Sequence, residues 1–296
     1  MTLLLNGDEY AIHKGDCIPH MATMSEACID FSVFSPPFPS LYAYTSKVED
    51  IGNSEDLQGE AKLHLSFFYK QLLRVIKPGR AILVHVAQIP RMKRSGGEGL
   101  FDFRGLNIRI AERAGFVFHY EWSVRKNPQA QAIRTRSREL QFAGFESDRA
   151  KCRGALPDYL LKFMRPGENV ERVDDNSGGS RDDWIQWAEH TWNDIKETDT
   201  LNVREGRGEE DTKHICPLQL GVIERAVRLF SNRGDIVFSP FAGIGSEGYV
   251  ALRQGRRFYG CEIKDEYYRA AKHNMKKAIR QRIQENEDAE NALFPT

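Results

Sequence analysis

Ser35-Pro36-Pro37-Phe38 follows directly on the apolar run Ile29-Asp30-Phe31-Ser32-Val33-Phe34. The pattern predicts a buried strand ending in a rigid turn, which is where open α/β sheets put their chemistry. Two consecutive prolines fix two φ angles and remove two N–H donors, so carbonyl oxygens nearby can face a site as unopposed acceptors. Ser35 adds a hydroxyl and Phe38 a flat ring. These parts suit a planar ring bearing an amino group, with acceptors for its hydrogens and a face for stacking. About two hundred residues later, the β-rich run Gly234 to Ser239 leads into Pro240-Phe241-Ala242-Gly243-Ile244-Gly245-Ser246. Alternate glycines let the backbone approach a ligand closely. The helix expected from Glu247 to Gln254 presents its first N–H groups to that turn. Arg257-Phe258-Tyr259-Gly260-Cys261-Glu262 reads as a second strand, and the carboxylate at its tip is placed to accept hydrogen bonds from ribose hydroxyls.

Each motif alone is a weak signal, but together they resemble the amino-group DNA methyltransferases. Those enzymes use S-adenosylmethionine to methylate N4 of cytosine or N6 of adenine. Ser35 to Phe38 matches the family's [D/N/S]-P-P-[Y/F/W] motif, and Ser239 to Gly245 its D-P-F-x-G-x-G motif. Gly15-Asp16 matches a G-D pair ahead of the catalytic strand, His214 to Leu220 the segment leading into the cofactor half, and Tyr267 and Tyr268 the aromatic after the acid. The catalytic motif precedes the cofactor motif, as in the β-class permutation, and the overall flavour is that of phage and prophage methylases with a place in restriction-modification. The resemblance implies a Rossmann-like α/β methyltransferase fold with a target-recognition insertion. It implies catalytic roles for Ser35, Pro36, Pro37 and Phe38, and cofactor contacts from Asp16, His214, Pro217, Phe241, Gly243, Gly245, Ser246 and Glu262. Ser35 and the Pro36 carbonyl would hold the amine while Phe38 stacks on a base flipped out of the helix. Serine at the first motif position leans toward cytosine N4, with adenine N6 as the alternative.

Ser239 stands where the family usually has aspartate, and Cys216 where it often has lysine. Both bear on cofactor affinity rather than reaction type, and the first leaves a catalytically silent DNA-binding relative open. C5-cytosine chemistry needs a Pro-Cys nucleophile, and no such dipeptide occurs. A nicotinamide oxidoreductase could own the glycine turn and Glu262 but would leave S-P-P-F without a role. A protein-glutamine or RNA methyltransferase shares the P-P-aromatic logic but usually carries its cofactor motif first.

The 42 basic and 42 acidic residues balance, so any surface for double-stranded DNA must be local. It is expected between the two halves, where Arg125 to Arg153 holds eight Lys or Arg against three carboxylates. Arg125, Lys126, Arg134, Arg136 and Arg138 are the expected DNA contacts. The last three lie on one side if their segment is extended and spread apart if it is helical. Lys93, Arg94, Gly96 and Gly97 form a second small basic loop. The five cysteines are scattered without a C-x-x-C pair, so no metal is expected. No apolar run approaches the ~18 residues of a membrane span and no signal peptide opens the chain, which suggests a cytoplasmic protein. A homodimer is left open.

The elements that must position these residues follow from periodicity and stop signals. A helix is predicted over Glu60 to Ile76, ended by Lys77-Pro78-Gly79, then a buried strand over Ala81 to Val86. A helix over Phe103 to Ala114, closed by Gly115, leads to a strand over Phe116 to Val124. Asp158 to Phe163 reads as a further strand, Glu168 to Arg181 as an exposed loop, and Trp184, Trp187 and Trp192 as packing residues. Leu218 to Phe230 carries helical periodicity, and the charged tail past Lys276 reads as a surface helix. The expected organisation is a catalytic half over 1–124, a target-recognition insertion over 125–210 and a cofactor half over 211–296.

Overall fold

The computed structural model describes residues 5, 7–38, 59–91, 99–201 and 217–293. His214, Cys216 and the loop at Lys93 to Gly97 lie outside the described residues. In chain order the elements are β1 (Tyr10–Lys14), α1 (Cys17–Thr23), β2 (Phe31–Phe34), α2 (Glu60–Val75) and β3 (Ala81–Ala87). A small pair, β4 (Ile89–Pro90) and β5 (Leu100–Phe101), precedes α3 (Phe103–Ala114) and β6 (Val117–Val124). Next come α4 (Pro128–Thr135), α5 (Phe142–Ser147), β7 (Asp158–Met164), α6 (Arg181–Trp187) and β8 (Thr191–Trp192). The chain ends through α7 (Leu220–Phe230), β9 (Ile236–Ser239), α8 (Ser246–Arg253), β10 (Arg257–Glu262) and α9 (Asp265–Leu293).

Eight strands form one sheet in the order β1-β10-β9-β2-β3-β7-β6-β8. β1, β10, β9, β2 and β3 run parallel, and β7 is antiparallel to both of its neighbours. Strands covered on both faces must be apolar throughout, and β2 and β9 are buried at every residue. Alternation divides their side chains between two cores. Phe34, Ile82, Val84 and Phe238 pack with α1, α2 and α3, whereas Phe31, Val33, Leu83 and Val237 pack with α7, α8 and α9. The predicted stop of α3 holds: Gly115 caps it in the left-handed region at φ +111°.

Ion pairs clamp the opposite edge, where β2, β3 and β9 begin. Buried Asp30 accepts from the Ile236 amide at 2.8 Å and faces Lys77 Nζ at 2.7 Å. Arg80, almost fully buried, donates to the Asp30 carbonyl at 2.9 Å and pairs with Asp235. This network fixes the strand register far from the ends that carry Ser35 and Glu262.

The interval 125–210 is not one insertion. β7 lies between β3 and β6 in the middle of the sheet and β8 closes its edge, so both belong to the main fold. What leaves the sheet is the stretch between β6 and β7, folded into α4, α5 and two short 3₁₀ turns. Trp187 and Trp192 are buried as expected, with the Trp187 carbonyl accepting from the indole N–H of Trp122 and of Trp192 at 3.0 Å each. Trp184 is exposed.

Candidate active site

β2 and β9 are parallel neighbours, with Phe31 beside Val237 and Ser32 beside Phe238. From β2 the chain crosses to β3 on one side, and from β9 it crosses to β10 on the other. The strand order therefore reverses between them, and the loops after both strands rise on the two sides of one crevice at their carboxyl ends. This brings together two motifs about two hundred residues apart in sequence.

On the β9 side, Gly243 takes φ +53° with nothing within 4 Å of where a Cβ would stand, so it borders open space. Gly245, at φ +87°, is held for a different reason: a Cβ there would meet Met275 Cε at 2.7 Å and Ala271 Cα at 3.2 Å on α9. Glu262, at the tip of β10, is buried and accepts the Gly243 amide at 2.7 Å and the Lys264 amide at 2.8 Å. With about four lone-pair sites, a carboxylate has capacity for ligand hydroxyls as well as backbone donors. Asp16 caps α1 by accepting from the Ile18 amide at 2.9 Å, and β1 lies against β10, which sets Gly15-Asp16 beside Glu262. The hydroxyls of Ser239 and Ser246 are buried without a hydrogen-bond partner among the described residues. Open space at Gly243, two orphaned hydroxyls and an acidic strand tip together form a donor and acceptor set that fits a nucleoside-bearing ligand. Pro217 is half-buried on the approach to α7. Phe241 is partly committed to packing, its ring centroid 5.0 Å from Phe68 and 5.9 Å from Phe34.

Sequence reasoning missed Glu247, the second residue of α8. Its carboxyl is buried, and burial first, then the nearby Glu262, pushes it up to about 8. A carboxyl raised in this way is neutral at pH 7.

On the β2 side, Pro36 is buried while Ser35, Pro37 and Phe38 are half-buried. The Phe38 ring stands 5.3 Å from Phe103, so one side of it rests on the core. Ser35 Oγ lies 3.2 Å from the His85 carbonyl and 3.2 Å from His85 Nδ1. His85 Nε2 lies 2.9 Å from Asp158 Oδ2, and Lys126 Nζ reaches the same oxygen at 2.5 Å. Burial pushes the Asp158 carboxyl up, but His85 and then Lys126 outweigh it and hold it at about 2. Lys126 differs from the exposed DNA contact that the sequence suggests: its side chain is 5% exposed and pairs with Asp158. His85 had one signal, a histidine inside the otherwise apolar run Ala81 to Ala87.

Lys126 and Asp158 also mark the two stalks of the stretch that leaves the sheet, since Val124 is paired with Asp158. The other expected DNA contacts, Arg125, Arg134, Arg136 and Arg138, are exposed on or beside it. Arg134 is in the last turn of α4, Arg136 caps it in the left-handed region, and Arg138 opens a 3₁₀ turn. The segment is therefore neither the extended strand nor the single helix that the alternation is read against. Ile133, Phe142 and Phe145 are exposed among these arginines, Phe142 by 74%. Among the described residues no cluster of metal ligands occurs, and no helix is long and apolar enough to cross a membrane.

A family model described as DNA methylase, of N6 and N4 type, matches residues 29–273. The DNA adenine methyltransferase YhdJ of Escherichia coli K12 is 48% identical over 46 residues, 16% of this chain and 16% of that protein. In three further curated relatives, type II methyltransferases, the matched stretches make up 22%, 30% and 18% of the length, so the chain spans less than a third of these relatives. Among solved structures, the DNA modification methylase TTHA0409 of Thermus thermophilus, complexed with S-adenosyl-L-methionine, superposes with a TM-score of 0.67 at 22% identity. That match covers 91% of this chain and 94% of that one. The cytosine-N4-specific PvuII DNA methyltransferase superposes with a TM-score of 0.62 at 17% identity, covering 93% of each chain. At these identities the likeness establishes a common fold.

Proposed function

We propose, from the premise that the chain belongs to the N6/N4 DNA methylase family, that it transfers a methyl group from S-adenosylmethionine to an exocyclic amine of a base in DNA. The observation that carries this reading is the convergence of Ser35-Pro36-Pro37-Phe38 and the Gly243–Glu262 turn on one crevice at the switch between β2 and β9. S-adenosylmethionine supplies an electrophilic methyl carbon when bound. Glu262 holds the ribose hydroxyls, and the orphaned hydroxyls of Ser239 and Ser246 serve the polar remainder of the ligand. Asp16, Pro217 and Phe241 supply the remaining cofactor contacts in this reading.

An aromatic amine is a poor nucleophile because its lone pair is delocalised into the ring. Ser35 Oγ and the Pro36 carbonyl accept its two hydrogens, favour a pyramidal nitrogen and aim the lone pair outward. Phe38, supported from behind by Phe103, offers its remaining face to the base. Double-stranded DNA is held by the exposed arginines of the stretch between β6 and β7, whose stalks stand at Lys126 and Asp158 beside the catalytic loop.

Cytosine N4 is the favoured target. Ser35 is a neutral acceptor, in keeping with the serine lean toward cytosine, and PvuII DNA methyltransferase is a cytosine-N4 enzyme of the same fold. The test is incubation with S-adenosylmethionine and unmethylated DNA, digestion to nucleosides and mass spectrometry. N4-methyldeoxycytidine is expected. N6-methyldeoxyadenosine overturns the base, and no methylated nucleoside overturns the activity in favour of a DNA-binding relative.

A further inference from the structure

The geometry points to His85 as the residue that orients Ser35 and, through it, takes the surplus proton of the reaction, with Asp158 fixing its tautomer. The inference rests on the methyl transfer proposed above. Three residues from three elements form the line: Ser35 after β2, His85 in β3 and Asp158 at the start of β7, with contacts of 3.2 Å and 2.9 Å. Lys126 stands behind Asp158 at 2.5 Å. No structural requirement of the sheet calls for a histidine here, because the neighbouring positions of β3 are apolar.

His85 Nε2 stands 2.9 Å from Asp158 Oδ2 but outside hydrogen-bonding angles; because the carboxylate accepts only, its charge favours hydrogen on Nε2. A neutral imidazole then turns a bare Nδ1 lone pair toward Ser35 Oγ. Ser35 has one hydrogen and two acceptors at the same 3.2 Å, His85 Nδ1 and the His85 carbonyl. With His85 neutral, the hydroxyl donates to Nδ1 and its oxygen lone pairs are left to accept the target amine. With His85 protonated, Nδ1–H donates to Ser35 Oγ and the hydroxyl hydrogen swings to the carbonyl. Both protonation states are satisfied by rotating one hydroxyl.

In the reaction the amine lone pair forms the N–C bond, and the C–S pair departs onto sulfur as a neutral thioether. The nitrogen is left cationic with one hydrogen too many. That proton passes to Ser35 Oγ as the Ser35 hydrogen passes to His85 Nδ1, giving a neutral methylated base and an imidazolium facing Asp158. The charged groups that face His85 among the described residues are Asp158 from β7 and, through the shared oxygen, Lys126 from the end of β6.

The experiment is single-turnover methyl transfer from labelled S-adenosylmethionine to unmethylated DNA across the neutral range, for the parental chain, His85→Gln, Ser35→Ala and the double variant. His85→Gln is expected to slow transfer by about 10²-fold or more while leaving cofactor and DNA affinity unchanged, and to abolish the acid limb of the parental rate profile. The double variant should be no slower than the slower single variant. A readout independent of turnover is imidazole nitrogen NMR of the parental chain, which should assign the Nε2–H tautomer to His85. That spectrum decides the matter if His85→Gln does not fold. A His85→Gln variant with parental rate and acid limb, or an Nδ1–H tautomer, refutes the relay alone. A parental chain that methylates no DNA refutes the underlying activity and the relay with it.

Discussion

Replacing Glu262 by glutamine tests the cofactor half of the site. The carboxylate accepts two backbone amides, from Gly243 at 2.7 Å and Lys264 at 2.8 Å, one on each oxygen. Glutamine keeps one carbonyl oxygen and turns an NH₂ donor toward the other amide, so one bond inside the loop is lost along with the charge. A ligand hydroxyl that donated to a charged acceptor then meets a neutral one or a donor. Hydrogen bonds to charged groups are worth about 1.5–3 kcal/mol, so S-adenosylmethionine affinity should fall by roughly 10- to 150-fold. Calorimetric titration measures that fall, and thermal unfolding without cofactor measures the loop contribution separately. An affinity within about twofold of the parental value, or ~0.4 kcal/mol, in a folded variant refutes the ribose assignment. If instead only the unfolding midpoint drops, Glu262 is a staple for the Gly243 turn and nothing more.

The remaining predictions probe DNA binding, a buried acid and the far edge of the sheet. Alanine at Arg134, Arg136 or Arg138 should each lower the slope of log DNA affinity against log salt by about 1, and three parental slopes would mean that the arginines serve only solubility. Glu247 is raised from 4.5 to about 8 in the fold, so the folded state holds its proton more tightly and stability falls as pH rises from about 4.5 through 8. Glu247→Gln should therefore unfold at a higher temperature than the parental chain at pH 8 and match it at pH 4.5. An equal difference at both pH values would refute the linkage. Arg80→Met strips the buried partner from Asp235 and should cost about 3–5 kcal/mol in urea unfolding, part of it recovered by adding Asp235→Asn. A loss below about 1 kcal/mol would mean that the ion pair contributes little.

Legibility in the sequence followed the range of each signal. β2, α2, β3, α3 and β10 were readable because a buried parallel strand is a solid apolar run, and because Lys77-Pro78-Gly79 and Gly115 are local stops. The two motifs were readable as motifs, and their meeting at one crevice followed from the rule that parallel strands put their carboxyl ends on one edge. The interval 125–210 was misjudged because β7 and β8 are recruited into the sheet by pairing with β3 and β6, a non-local choice that leaves only a strand-like pattern in the sequence. Lys126 was misread for the same reason. A lysine beside Arg125 in a basic stretch looks like a phosphate contact until β7 delivers Asp158 against it. The relay is the extreme case: Ser35, His85, Lys126 and Asp158 come from four separate segments, and none of the four carries a local pattern that refers to another. What could have exposed it is the desolvation penalty. A histidine inside β3 and a carboxylate at the head of β7, both in strands otherwise built for burial, are unfavourable to desolvate unless something answers them, and the simplest answer for each is the other.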